Sequence, residues 1–200
     1  MKLKKILQIS DYKELFGWIE IYIHNASKVL QAHERKTKTL WLSASIATLK
    51  RIRGFLLPIT GFNLISMTQV LYYSIIRKPD VVRFHSVSRY HGWLPVRISW
   101  FFKSKKLMMY HDLGYFQPYP SKVTQENQVL KRSYSNWIKM GGGGSGVKFK
   151  FLSMTLLRRA LLSTVDIHLV PSEFMMTYLI NRWIPKHKIQ VLPHFIPETF

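Results

Sequence analysis

The fold is decided by residues 166–197, which read DIHLVPSEFMMTYLINRWIPKHKIQVLPHFIP. This stretch opens on a short apolar run that ends at Ser172, and it closes on a second apolar run that ends at Pro193. Between the two runs, apolar side chains recur at helical spacing, and we expect them to share one buried face: Phe174, Met175, Tyr178, Leu179 and Trp183. A strand, a helix and a second strand in this order predict a βαβ unit.

The same alternation of apolar runs and helix-length segments extends upstream to the amino terminus. We predict strands at Lys5–Ser10, 39–43, Val81–Phe84, 107–110, Ile167–Val170 and 189–192. Two of the helices predicted between them lie over 19–30 and 62–76. Strands that alternate with helices form a parallel sheet with right-handed crossovers. The predicted fold class is therefore α/β, a doubly wound Rossmann-like parallel sheet.

The composition fits one globular lobe. A chain of 200 residues that is 47% hydrophobic can bury a sizeable core, and a single domain is expected. The absence of cysteine excludes a disulfide framework, cysteine metal sites and thiol catalysis. Residues 54–76 carry no charge, but their proline, glycine and amide side chains favour a loop and a buried helix over a membrane span. Polar residues interrupt any apolar run after Met1, so we expect no signal peptide and a cytoplasmic location.

Positive charge dominates the chain, since 30 Lys and Arg residues face 10 Asp and Glu residues for a formal net charge of +20. The cations are spread in small groups rather than gathered in a tail or in one helix. Such a field attracts any polyanion, whether a phosphate-bearing substrate, an anionic lipid surface or nucleic acid. One alternative function is therefore a non-enzymatic basic domain that binds nucleic acid or anionic membrane. The charge is also explained without any binding function if the proteins of the source organism are generally basic.

Polar residues follow the predicted strands directly, where a doubly wound sheet binds its ligand. Those that we expect to line the cleft are Asp11, Tyr12, Glu20, His85, His111, Asp112, Ser172 and Glu173. Ser172 is equally explained as the N-cap of its helix, and Glu20 as a first-turn acid that favours the helix dipole. A loop histidine bonded to backbone is the alternative for His111. We expect His85, His91 and His111 to be separate loop residues without metal-ligand spacing.

Five segments, in the same order, resemble the acceptor lobe of glycosyltransferase family 4. They are KILQISD through FGWIE at 5–20, PDVVRFH at 79–85, YHDL at 110–113, DIHLVPS at 166–172 and IQVLP at 189–193. The resemblance covers most of the chain and is poorest over 35–77. It implies a GT-B architecture in which residues 1–200 form the N-terminal, acceptor-binding lobe. A C-terminal donor-binding lobe would begin a little after Pro197, so we expect this chain alone to fold and not to transfer sugar.

By the same resemblance, the whole protein would transfer a sugar with retention from a nucleotide sugar, a UDP- or GDP-sugar, to a glycan or lipid-linked acceptor. The family pattern implies no cofactor and no metal. His111 would lie at the reaction centre as a hydrogen-bond donor or electrostatic contributor. Gly17 and the amides after it would face the donor diphosphate. Trp18 stands where the family has a second glycine, and an indole would crowd a phosphate, so an inactive or divergent member stays an alternative.

Two further segments carry expectations of their own. The glycine run over 141–146 lacks the Lys and Ser or Thr of a phosphate-binding loop, so it predicts a flexible loop over the acceptor side. Residues 41–56 interleave cations with apolar side chains. This mixture predicts a patch that docks the lobe on anionic lipid at the inner face of the cell membrane, with a solvated basic face as the alternative.

Overall fold

The chain alternates strands and helices along its length in a computed structural model that describes residues 5–10, 18–33, 35–41, 64–85, 87, 92–111, 145–181 and 184–193. The strands are β1 (Lys5–Ser10), β2 (Lys36–Trp41), β3 (Val81–Phe84), β4 (Lys105–Met109), β5 (Ile167–Val170) and β6 (Ile189–Val191). The helices are α1 (Trp18–Ala32), α2 (Leu64–Arg77), α3 (Trp93–Ser99), α4 (Ser145–Thr164) and α5 (Glu173–Ile180), and a 3₁₀ turn covers Lys186–Lys188.

The strands β1, β3 and β5 have the bounds predicted from the sequence, whereas β2 and β4 begin earlier than predicted. Both of the displaced strands open on lysines, Lys36 and Lys105, which are exposed at the end of the sheet. An apolar run therefore marks only the later part of each strand. In β2 the alternation of lysine and threonine is typical of an edge strand, where lysine discourages pairing with another chain.

The six strands form one parallel sheet in the order β2-β1-β3-β4-β5-β6. The chain steps from β1 outward to β2, then crosses back over β1 to β3 and continues in that direction. The connections that leave β1 and β3 therefore run in opposite directions. The carboxyl ends of these two strands form the topological switch point, where open α/β sheets bind ligands.

The helices divide between the two faces of the sheet, as the two hydrophobic clusters show. On one face, α1 buries Tyr22, Ile23 and Ala26 against Met109 and Leu169. The larger cluster on the opposite face gathers side chains of α2, α3, α4 and α5. Its helical members include Val70, Val96, Leu157, Leu161 and Leu179. Helices on both faces of a parallel sheet make the fold doubly wound.

The predicted apolar face of α5 is correct in part. Met175, Tyr178 and Leu179 are buried in the larger cluster. Phe174, however, is 61% exposed, so its predicted place in the core is wrong. Phe174 lies in the first turn of α5, and its ring meets that of Tyr178 at a centroid distance of 6.4 Å. The fifth predicted member, Trp183, lies outside the described residues.

Two aspartates near the start of sequence motifs, Asp80 and Asp166, hold neighbouring strands in register. The backbone N–H of Lys5 donates to Asp80 Oδ2 at 2.9 Å, and the N–H of Lys106 donates to Asp166 Oδ2 at 2.7 Å. In return, the N–H of each aspartate donates to the carbonyl of the same lysine at 2.9 Å. Both pairs lie at the amino ends of strands, which is the end of the sheet opposite the switch point. These two motif residues therefore stabilise strand pairing and do not line the predicted ligand site.

Two predictions about segments outside the strands are tested in part. The helix predicted over 62–76 is present as α2. Within the described ranges, no helix is both long and apolar enough to cross a lipid bilayer. The loop predicted over 141–146 overlaps α4, since Ser145 and Gly146 lie in its first turn. Residues 141–144, and the predicted membrane patch from residue 42 onward, lie outside the described residues.

Candidate functional site

Three polar side chains meet at the carboxyl ends of β1, β3 and β4, beside α1. Gln8 belongs to β1, His85 directly follows β3, and His111 follows β4. The backbone N–H of His85 donates to the carbonyl of Ile9 at 2.9 Å, which extends the parallel register past the end of β3. Successive side chains of a strand alternate between faces. The register therefore places all three polar side chains on the face that α1 covers.

A continuous chain of hydrogen bonds joins these side chains to α1. His85 Nδ1 lies 3.1 Å from His111 Nε2, and His85 Nε2 lies 3.1 Å from Gln8 Oε1. Gln8 Nε2 donates to the Ser27 hydroxyl at 2.7 Å, and that hydroxyl donates to the Ile23 carbonyl, also at 2.7 Å. The chain runs from the protein interior to His111, its outermost member.

Ring packing fixes the two imidazoles further. The rings of His85 and His111 stack with a centroid distance of 5.4 Å and an interplanar angle of 21°. Tyr22 meets the His111 ring edge-on at 5.5 Å. Gln8 and His85 are fully buried, and His111 is half-buried. The site therefore presents one partly accessible imidazole on a rigid, buried support.

Arg83 and Tyr22 set the electrostatics of this face. Burial raises the pKa of the Tyr22 hydroxyl, and the positive charge of Arg83 offsets part of that rise. Burial likewise lowers the pKa of the Arg83 guanidinium, and Tyr22 offsets part of that fall. Arg83 Nε is buried without a hydrogen-bond partner in the described part of the chain. A half-buried cation beside a neutral phenol makes this face attractive to anions.

His85 and His111 are not separate loop residues, and that prediction was wrong. The two rings are hydrogen-bonded although 26 residues separate them in the sequence. They meet because β3 and β4 are neighbours in the sheet. The structure shows a hydrogen bond between His111 and the side chain of His85, and the alternative prediction for His111, a hydrogen bond to backbone, stays a prediction. The third histidine of that set, His91, lies outside the described residues.

Ser172 caps α5, as one of its two interpretations predicted. The N–H of Met175 donates to Ser172 Oγ at 3.3 Å, and Ser172 has extended backbone dihedrals of −154° and 159°. A cap of this kind contributes about 1 kcal/mol to stability. Ser172 and Glu173 are both exposed at the carboxyl end of β5. Their role in lining a cleft stays a prediction.

The remaining predicted site residues are described in part or not at all. Trp18 and Glu20 lie in the first turn of α1, and their side chains are outside the described set. The predicted residues that fall outside the described ranges are Asp11, Tyr12, Gly17 and Asp112. Among the residues that are described, no three His, Asp or Glu side chains are grouped so as to hold a metal ion. That the protein needs no metal stays a prediction.

Sequence reasoning missed Gln8, Ser27, Tyr22 and Arg83. Gln8 carried a usable signal, because it is a lone amide inside an apolar strand and is fully buried. Buried polar side chains have hydrogen-bond partners, so such a residue points to a polar network. Ser27 and Tyr22 gave no comparable signal, since serine and tyrosine are common in amphipathic helices.

The search of solved structures found similar chains. The chain aligns over 94% of its length with 43% of MnaA from S. aureus, solved with UDP, at 14% identity and a TM-score of 0.53. It also aligns over 96% of its length with 44% of HepE from Anabaena, solved in complex with UDP-glucose, at 11% identity and a TM-score of 0.49. No protein-family model matches the chain, and no curated protein sequence matches it.

At 14% identity, the likeness to MnaA shows the fold alone. Together with the sheet order, it confirms the predicted fold class, a doubly wound Rossmann-like α/β sheet of the GT-B type. The chain corresponds to less than half of the MnaA chain, since 43% of that chain is covered.

Proposed function

We propose that this chain is the N-terminal, acceptor-side lobe of a GT-B glycosyltransferase similar to family 4. The whole protein would transfer a sugar, with retention, from a nucleotide sugar to a glycan or lipid-linked acceptor in cell-surface polysaccharide or glycoconjugate synthesis. The observation that carries the proposal is the position of His111. It lies half-buried at the switch-point end of the sheet, and a buried hydrogen-bond chain supports it.

The placement of His111 fits a group that contacts the transferred sugar. Ligands of open α/β sheets bind outside the carboxyl ends of the strands, and His111 follows β4 directly. A preorganised polar side chain stabilises charge that develops in a transition state without reorganising during the reaction. Stacking on His85 and the edge of Tyr22 supply that preorganisation.

The nucleotide-sugar part of the proposal draws on two observations. α1 begins at Trp18 on the same side of the sheet, and a helix amino terminus with free N–H groups favours a phosphate. The MnaA structure of similar fold was solved with UDP. We propose a UDP- or GDP-sugar as the donor, held mainly by a second lobe, with neither metal nor cofactor. On this proposal, residues 1–200 alone do not transfer sugar.

The alternative, a non-enzymatic basic domain that binds nucleic acid or anionic membrane, predicts one basic face studded with aromatic side chains. The described residues instead gather polar side chains at strand ends around a buried support, as an enzyme site does. We therefore keep the transferase as the proposed function.

Thermal unfolding of the complete gene product with candidate donors tests the proposal. A nucleotide sugar at about 100 times its Kd should stabilise the folded state by about 2.7 kcal/mol and raise Tm. Because the chain carries a net charge of +20, ATP and pyrophosphate at equal concentration are the charge controls. A larger shift with one UDP- or GDP-sugar supports the proposal. Equal shifts with all of these anions, or a shift only with oligonucleotides, would contradict it.

The proposal includes peripheral attachment to the inner face of the cell membrane, which would bring the lobe to a lipid-linked acceptor. Each Lys or Arg near an anionic surface contributes about 1 kcal/mol. We expect co-sedimentation with vesicles to rise with their anionic lipid content and to fall with salt. A Lys50/Arg51/Arg53→Gln variant should bind less. Equal binding to neutral vesicles would contradict this part of the proposal.

A further inference from the structure

An open cavity of about 370 Å³ lies at the amino ends of β1 and β2, beside the last turn of α2. Its size falls in the range of small-molecule sites, roughly 300–1,000 Å³. The described part of its wall combines four cations with apolar side chains and one threonine: Lys5, Lys36, Lys38, Arg77, Ile6, Leu7, Ile76, Pro79 and Thr37. Because the candidate site lies at the carboxyl ends of the strands, this cavity is at the opposite end of the sheet.

Strand register brings the three lysines of this wall onto one face of the sheet. Lys5 is the register partner of Lys36, and Lys38 is the partner of Leu7. Alternate residues of a strand share a face, so all three lysines lie on the face of Leu7, where α2 packs. Like charges directly opposite each other on a sheet are destabilising. An anion bound among the lysines would offset this repulsion.

Two contacts hold these lysines beside the cavity. Lys38 Nζ lies 5.7 Å from the centroid of the Tyr73 ring of α2, a cation–π contact between the sheet and the helix. The backbone of Lys5 is fixed by Asp80, whose Oδ2 accepts its N–H at 2.9 Å. Asp80 is therefore a carboxylate near the cavity, and the four cations of the wall outnumber it.

The backbone beside the cavity has a conformation that is uncommon for a residue with a side chain. Lys78, directly after α2, has a φ of 45°, and no other described residue except glycine has a positive φ. Glycine usually takes this position after a helix, because it has no Cβ. Conformations of this kind cost free energy and cluster at ligand sites. Here the turn places Arg77 and Pro79, the two neighbours of Lys78, in the wall of the cavity.

Other roles account for only part of this cluster. Lysine on an edge strand discourages pairing with another chain, and Lys36 and Lys38 belong to the edge strand β2. Arg77 lies in the last turn of α2, where a cation favours the helix dipole. Lys5 has neither role, because it opens the inner strand β1. Neither role explains why the four cations surround one cavity.

We propose that this cavity binds the phosphate group of a small phosphate ester, with the organic part of the ester against the apolar wall. A phosphate monoester carries a charge of about −1.5 to −2 at neutral pH, so it suits four cations better than a singly charged carboxylate. Arg77 can bind two phosphate oxygens at once, and the lysines contribute point charges. Ile76 and Pro79 offer the apolar surface. This site is separate from the proposed function and does not rest on it.

Calorimetric titration of the complete gene product with n-butyl phosphate and with inorganic phosphate, at constant ionic strength, measures both parts of the ligand. n-Butyl phosphate should bind roughly 10-fold more tightly, since burial of about two methylene groups contributes that much. Ile76→Ser should remove most of this difference, and because Ile76 is 59% exposed the fold should persist. Binding of n-butyl phosphate that is no tighter than that of inorganic phosphate would overturn the proposal.

Two double variants that lose the same charge separate the cavity from the general attraction of a chain with a net charge of +20. Lys36→Gln/Arg77→Gln should weaken binding roughly 10-fold. The matched control is Lys103→Gln/Lys186→Gln, and all four side chains are exposed. These control residues lie before β4 and β6, two and four strands from β1. Salt screens charges beyond about 8 Å, so the control should change the affinity less than about twofold. Equal losses in the two double variants would overturn the proposal.

Vesicles distinguish the two sources of a phosphate ester. n-Butyl phosphate presents the group in solution, whereas phosphatidylcholine vesicles that contain phosphatidic acid present it as a lipid headgroup. Binding of n-butyl phosphate that depends on Lys36 and Arg77 identifies a soluble ester. Co-sedimentation with the vesicles that depends on the same two residues identifies a lipid headgroup. Dependence on them in neither assay would show that the cavity is not a phosphate site. Neither assay measures sugar transfer, so the result is independent of the proposed function.

Discussion

Replacing His111 with alanine is expected to lower kcat of the complete gene product by roughly 10²–10³, equivalent to about 2.7–4 kcal/mol of transition-state stabilisation. His111 is half-buried at the end of β4, and its Nε2 bonds to His85 at 3.1 Å. His111 is half-buried and lies beyond the end of β4, so water can take its place beside His85 and the free energy of unfolding should change little. Steady-state kinetics with the donor identified by thermal shift, and chemical denaturation of the same samples, check both statements.

Two further variants sharpen the test of His111. His111→Asn keeps a polar side chain of similar reach, so it should retain more activity than His111→Ala if His111 acts through a hydrogen bond. His33→Ala is the matched control, because His33 is an exposed histidine at the far end of α1. Unchanged turnover in His111→Ala, with the fold intact by circular dichroism, would assign His111 a structural role only.

Acidification from pH 7 to pH 5 is expected to lower the free energy of unfolding by about 2 kcal/mol through His168 alone. His168 is fully buried in β5, where its Nδ1 and the Tyr110 hydroxyl share a hydrogen bond of 3.0 Å. Its Nε2 is buried with no hydrogen-bond partner in the described part of the chain. Burial, and then the positive charge of Lys188, lower the pKa of His168 to about 3.

The sign of this effect follows from the two states of the chain. An unfolded histidine has a pKa of about 6.5, so the unfolded chain binds a proton at His168 below that pH. In the folded state His168 binds this proton only near pH 3. Stability is therefore complete above pH 6.5 and is lost as the pH falls toward 3, in the window between these two pKa values. Protonating the buried ring would also place a charge beside Lys188.

Denaturation of wild type and a His168→Leu variant at several pH values measures this contribution. The absolute stability of the variant is immaterial, because only the slope with pH is compared. We expect the wild type to lose about 2 kcal/mol more than His168→Leu between pH 7 and pH 5. His187→Asn, which changes an exposed histidine, is the control for the loss of a histidine as such. The same slope in wild type and in His168→Leu would show that His168 does not resist protonation.

Local sequence was sufficient for most of the secondary structure. β1, β3 and β5 are apolar runs bounded by polar residues, since a parallel strand is buried on both faces. The same reasoning was too narrow for β2, whose lysines and threonines alternate at the edge of the sheet. The prediction was wrong for Phe174. Helical spacing predicts which side of a helix a residue lies on, but it does not show whether the sheet and the other helices extend far enough to cover that residue.

The candidate site was likewise predicted from the sequence only in part. The sequence by itself determined that polar residues follow buried strands, and this was enough to single out His85 and His111. Only the tertiary structure decided that these two rings bond to each other and that Gln8, 77 residues before His85, supports them. The reason is physical: the pattern of one strand reports which of its residues are buried, whereas hydrogen-bond partners depend on strand order and register, which crossovers set at long range. That chain of hydrogen bonds exists only once β1, β3, β4 and α1 are packed together.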